Sequence, residues 1–277
     1  MAVSRKKIKE FIRKAQAPHI ILGIHNYCDR WCERCTFQMR CNVGIAEAER
    51  VTKSTGDMEA DMEAAMKEVA ENFEMTMEMI KMDAETLDID LSAIEDDEEV
   101  NRSFEERQKR EEKFLDQSSL KTLAHDYGMK VHEWINSESE IFKSKGEELS
   151  SHLLMGIRDE KNAMQVVKEM KDAIETIQWF EFFIEVKFSR ALSGIFDVLE
   201  GEEEDEAQSD HNGSAKIALI AVDRSMSAWE TMMKHFPDKA DDMLDFVALL
   251  SKIKSAGAER FPNAMKFVRP GFDTNGK

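Results

Sequence analysis

The stretch MEADMEAAMKEVAENFEMTMEMI (Met58–Ile80) decides the fold class. Its apolar residues Met58, Met62, Met66, Val69, Phe73, Met77 and Ile80 follow one another at spacings of 4, 4, 3, 4, 4 and 3. Residues three and four apart share one face of an α-helix, so this is a near-heptad stripe on a helix of roughly 28 residues. The rest of the surface is acidic: between Asp57 and Glu99 stand 17 Asp or Glu against Lys67 and Lys81 alone. This charge reads as a solvated face running into an acidic linker, LDIDLSAIEDDEEVNRS (87–103). The sharper reading is a docking surface for a basic partner, the chain's own N-terminal helix included. The Met seam reads first as core and second as an adaptable binding surface.

Outward from this helix the same character continues. In 277 residues there are 4 Pro, 12 Gly and 2 Tyr but 18 Met and 16 Phe. Sparse punctuation with abundant Glu, Lys, Met, Leu and Ala describes helices, and no apolar–polar alternation is long enough to seed a sheet. A short basic helix is expected over 2–15, ended by Pro18, followed by a loop from His19 to Gly44. A helical block begins near 102. Leu120, Leu123, Ala124, Tyr127, Val131, Trp134, Ile135, Ile141 and Phe142 carry its 3.6-residue rhythm to about 144, and Gly146 is expected to break it. One long helix is expected over about 148–199, bent near Gly156. An acidic loop (201–213), a helix to His235 closed by Pro237, and a last helix to about Ala256 complete the pattern. The expectation is therefore an all-α protein, an antiparallel helical bundle with an N-terminal four-cysteine metal-binding loop. Its segments would be 1–56 (basic helix and cysteine module), 57–101 (acidic Met-rich helix and linker), 102–260 (bundle) and 261–277 (irregular tail).

Several classes fall away. No run approaches the roughly 18 apolar residues that span a bilayer, and Ile20–Leu22 is too short for a signal-peptide core, so no membrane role and a cytoplasmic location are expected. A formal charge of −18 repels a phosphate backbone, so no nucleic-acid partner is expected. There is no P-loop, G-x-G-x-x-G, G-x-S-x-G or H-E-x-x-H. A protein partner or self-association stays open.

Cys28, Cys32, Cys35 and Cys41, spaced C-x3-C-x2-C-x5-C within 14 residues, are the only cysteines in the chain. Thiolates sharing one metal must stand about 3.5–4 Å apart, and two- or three-residue gaps let a tight turn bring that about. In a reducing compartment this outranks two local disulfides. Zinc is favoured and would be structural, since all four positions are filled by protein; a [4Fe–4S] cluster is the alternative. Arg30, Arg34 and Arg40 would offset the negative charge of either. The C-x3-C-x2-C spacing also matches the radical-SAM cluster loop, but that family needs alternating strand–helix units that this chain lacks.

In IETIQWFEFFIEVKFSRAL (174–192), Glu181 and Glu185 are one turn apart among aromatics, and Asp223 and Arg224 interrupt the apolar run ALIAVDRSMSAW (218–229). Buried carboxylates need partners. A polar core of Glu181, Glu185, Arg190, Asp223 and Arg224 is expected, as an ion-pair network or as a ligand or second metal pocket built on Glu181, Glu185 and Asp223. His125 and His132 share a helix face, yet no histidine of the bundle follows a Glu by three residues, which argues against a ferritin-like di-metal site.

The string YCDRWCERC (27–35), taken with NGSAKIALIAVDRSMSAW (212–229), resembles segments of uncharacterised bacterial helical proteins. That resemblance implies no activity. The leading expectation is a non-enzymatic, metal-stabilised interaction protein. The rival is a helical-bundle oxidoreductase with an iron–sulfur cluster or di-metal site.

Overall fold

The computed structural model describes residues 5–91, 98–201 and 206–273. Residues 92–97 of the expected acidic linker and 202–205 of the expected acidic loop lie outside the described residues, as do 2–4 of the first expected helix. Among the described residues all regular structure is helical, with no strand. No described helix is long and apolar enough to cross a membrane. The chain divides into two compact units, residues 1–109 with 269–277, and residues 110–268.

The first unit holds α1 (Arg5–Ala15), three short 3-10 turns (Ile24–Tyr27, Cys32–Arg34, Gln38–Arg40), α2 (Asn42–Lys53) and α3 (Met58–Leu87). Asp57 starts α3: its side chain accepts from the amides of Glu59 and Ala60 at 3.0 and 3.3 Å, satisfying donors that a helix N-terminus leaves open. Asp61 fastens the preceding turn, taking the Ser54 hydroxyl at 2.6 Å and the Thr55 amide at 2.9 Å, and these bonds hold its carboxyl down at about 2. α3 is the helix that the spacing predicts, but its stripe is not core. All seven stripe residues are between 40% and 81% exposed.

The second unit takes in α5 (Ser119–Ser137), α6 (Ser139–Leu154), α7 (Glu160–Phe180), α8 (Phe183–Leu199), α9 (Asp210–His235) and α10 (Ala240–Arg260), entered through α4 (Glu98–Asp116). α9 is the axis of this unit: it packs on α7, α8 and α10, and most of its residues from His211 to Val222 are buried. Around it the core gathers Trp229, stacked on Phe246 at 4.7 Å and edge-on to Trp134 at 5.4 Å, with Tyr127, Phe188, Ile177 and Leu250.

The helix expected over 148–199 is three helices, the first of which starts at Ser139 and runs unbroken through Gly146, whose φ is not left-handed. The first break is chemical: Gly156 takes φ +68, the Ile157 amide bonds back to the His152 carbonyl at 2.9 Å, and Asp159 caps α7 through the Asn162 amide at 2.8 Å. The second break, at 181–182, lies where a distant helix packs closely. Gly128 of α5 sits so close that a Cβ there would stand 2.7 Å from the Glu181 carbonyl oxygen. Past α10, the expected tail is pinned by Phe261, Ala264 and Phe267, all buried, around a 3-10 turn (Ala264–Lys266). Lys216, itself buried, donates to the Phe267 carbonyl at 2.6 Å.

Candidate functional site

The segment from His19 to Gly44 is too short to bury a core of its own, so its shape depends on backbone bonds. The Ile21 amide reaches the Arg40 carbonyl at 2.9 Å, Arg40 Nε reaches the His19 carbonyl at 3.2 Å, and Asn42 Nδ2 closes on the last turn of α1 at the Ala15 carbonyl, 3.1 Å. The three 3-10 turns then fold the loop back on itself, and Cys41 becomes the cap residue of α2. Gly44 packs onto the Gln38 backbone, where a Cβ would lie 2.6 Å from the carbonyl oxygen.

This path carries all four cysteines to the wall of one cavity of about 20 Å³, shared with Ile24, Trp31, Gly44 and Phe272. None is in a disulfide, and Cys28 and Cys41 are buried. Two sulfurs receive backbone amides by the same device two residues on: Arg30 N–H points at Cys28 Sγ and Phe37 N–H at Cys35 Sγ, each at 3.4 Å. The first turn requires Arg30 to adopt φ +60, a left-handed conformation rare outside glycine. Burial pushes the Cys28 thiol up, opposed by the Arg30 amide; burial also raises Cys32, and the nearby Cys28, Cys41 and Cys35 add to it. For Cys28 and Cys32, burial and the neighbouring thiols therefore both oppose ionisation. As it stands, no group of three or more His, Cys, Asp or Glu side chains among the described residues is arranged to hold a metal ion.

One part of this wall has no counterpart in the sequence around the cysteines. Phe272, more than 200 residues away, meets Phe37 edge-on at 5.2 Å, and Arg269 clamps the same turn through Asp273 at 2.9 Å. Gly271 takes φ +76 against Ile24 and Ile21. The only advance signal was a Gly-Phe pair after Pro270, which reads as an ordinary turn.

The second candidate, in the other unit, does not assemble as expected. Glu181 meets His132 at 3.3 Å, Glu185 meets His125 at 3.1 Å, Arg190 pairs with Asp210 at 2.6 Å, Asp223 pairs with Lys254 at 2.6 Å, and Arg224 lies over the Phe180 ring at 6.0 Å. These contacts take the five residues to different partners. The reason is angular: at 100° per residue, Ala218, Ala221, Val222, Ser225 and Trp229 occupy the inner arc of α9, and Asp223 and Arg224 fall on the arc facing solvent. Glu181 and Glu185 are both half-buried; the Glu181 Oε2 has no hydrogen-bond partner among the described residues, and partial burial raises its carboxyl despite His132. Nearby, Trp229 Nε1 donates to the Tyr127 hydroxyl at 3.1 Å in the core, where burial raises the Tyr127 phenol.

Comparison with family models, with curated proteins and with solved structures returns no match.

Proposed function

We propose that this chain is a non-enzymatic interaction protein whose N-terminal loop binds one metal ion, zinc in preference to an iron–sulfur cluster, through Cys28, Cys32, Cys35 and Cys41. The observation that carries this reading is that the chain's only four thiols line one cavity. The donor set fits: four sulfurs suit zinc, whose bonds of about 2.3 Å put tetrahedral sulfurs about 3.8 Å apart. The amides aimed at Cys28 and Cys35, and the N-terminus of α2 behind Cys41, favour thiolates once a cation arrives. Zinc held by four thiolates has no open position, so it would supply folding free energy to a loop that lacks a core and no catalysis. The same reading takes residues 110–268 as an antiparallel bundle and the protein as one of a reducing, cytoplasmic compartment.

The test is a set of four single Cys→Ser variants, each scored for bound zinc and for the melting temperature of the N-terminal unit with and without chelator. Each substitution should abolish stoichiometric zinc and chelator sensitivity together. Variants that keep zinc and wild-type melting would overturn the assignment.

A further inference from the structure

α3 has two apolar faces, and the chain itself covers one. Met75, Glu78, Met79 and Met82, half-buried, lie on one side, where α1 packs against α3. The covering helix is basic and amphipathic: Ile8 is fully buried, and Arg5 binds Glu85 through two bonds of 2.8 and 2.9 Å and approaches Glu78 at 3.9 Å. The stripe Met58–Ile80 lies on the opposite side, runs about 33 Å along the helix, and is exposed throughout. A contiguous apolar strip of that length exceeds what soluble monomers ordinarily present to water. Carboxylates border it on both sides, with Glu68 on one and Glu59 and Glu63 on the other, and α3 as a whole carries nine Asp or Glu against two Lys.

We propose that the exposed stripe of α3 is a docking face for a basic amphipathic helix of a partner protein, bound as α1 is bound in cis on the opposite face. Charge complementarity selects this occupant. A second copy of α3 would set carboxylate rows against carboxylate rows across the seam, whereas a helix with Lys and Arg beside its apolar stripe matches both features. The four methionines and single phenylalanine among the stripe's seven residues are unbranched or flat side chains that adapt to varied apolar surfaces, which suits recognition by class of helix over recognition of one shape. The proposal rests on the interaction reading of the protein but not on its metal.

The experiment titrates the full-length chain, zinc-loaded and zinc-stripped, with two synthetic amphipathic helices of about five turns that share one apolar face and carry Lys or Glu elsewhere, read by fluorescence anisotropy. The Lys peptide should bind at least about tenfold tighter than the Glu peptide, and added salt should weaken it. The double variant Val69→Glu, Phe73→Glu separates the contributions, because it adds negative charge while removing apolar contact. Binding should fall more than about tenfold if the stripe is the seat. Both positions are exposed, so circular dichroism and melting should match the wild type. Equal binding of the two peptides, or tighter Lys-peptide binding by the double variant, would overturn the proposal by showing plain hydrophobicity or plain charge. A dimer in sedimentation that the double variant dissolves would assign the face to a second copy, keeping the interaction reading and overturning this partner. No peptide binding by a monomeric chain would overturn both.

Discussion

Replacing Gly44 by Ala removes no thiol and no polar group, yet it should weaken metal binding. The added Cβ would stand 2.6 Å from the Gln38 carbonyl oxygen, 3.0 Å from its Cα and 3.1 Å from its carbonyl carbon, all backbone atoms that cannot rotate aside. Reaching ordinary contact at 3.4 Å requires a retreat of about 0.8 Å by the turn that hands Cys41 to α2. Overpacking of this kind costs about 1–3 kcal/mol. Because the loop's folding and its ion binding are one equilibrium, that cost appears as a loss of zinc affinity of about fivefold to 150-fold. The assay is competition with a chromophoric zinc chelator at neutral pH. Gly146→Ala is the matched control: it sits exposed within α6 with nothing within 4 Å of its would-be Cβ, so it should leave zinc affinity alone and add about 0.5–1 kcal/mol of stability. Wild-type zinc affinity in Gly44→Ala would refute the claim that the Gln38–Gly44 contact builds the cavity wall.

The same logic makes Gly128→Ala costly in the other unit, by about 1–3 kcal/mol in urea unfolding, since its Cβ would meet the Glu181 carbonyl at 2.7 Å; wild-type stability would show that this approach is not tight. Trp229→Phe strips the Tyr127 hydroxyl of its indole donor in the core and should cost about 1–3 kcal/mol, to be measured by chemical denaturation. Glu181→Gln should stabilise at pH 8 and do nothing at pH 4. The folded protein holds the Glu181 proton more tightly than the unfolded chain does, so stability falls as pH rises through the ordinary carboxylate value to the raised one, and Gln escapes that loss. Melting curves across that range check it, and a variant less stable at pH 8 would mean that the His132 pairing outweighs burial.

How much was legible in the sequence differs by element. α3 and α9 were readable because apolar spacing reports directly which residues share a face. The same spacing does not report what covers that face, and so the stripe from Met58 to Ile80 read as core although it stands in water. The break at Gly156 was half-readable, as a bend, from the glycine itself. The break at Glu181–Phe182 was not, because nothing in the local sequence marks it, and its close packing against Gly128 involves another helix. Asp223 and Arg224 looked buried because they interrupt an apolar run, but a helix turns 100° per residue and places them outside. The cysteine cluster was legible as a cluster from spacing alone, whereas Phe272, Gly271 and Arg269 reach it across more than 200 residues of chain.

The central claim is that the four thiols take one ion. Its most direct test is elemental analysis with an ultraviolet–visible spectrum on a single sample of the protein purified without oxygen. The account predicts one equivalent of zinc per chain and no absorbance near 400 nm. Broad absorbance there with about four irons per chain would replace zinc by a cluster and reopen redox chemistry. A folded chain with four titratable thiols and no metal would contradict the claim outright.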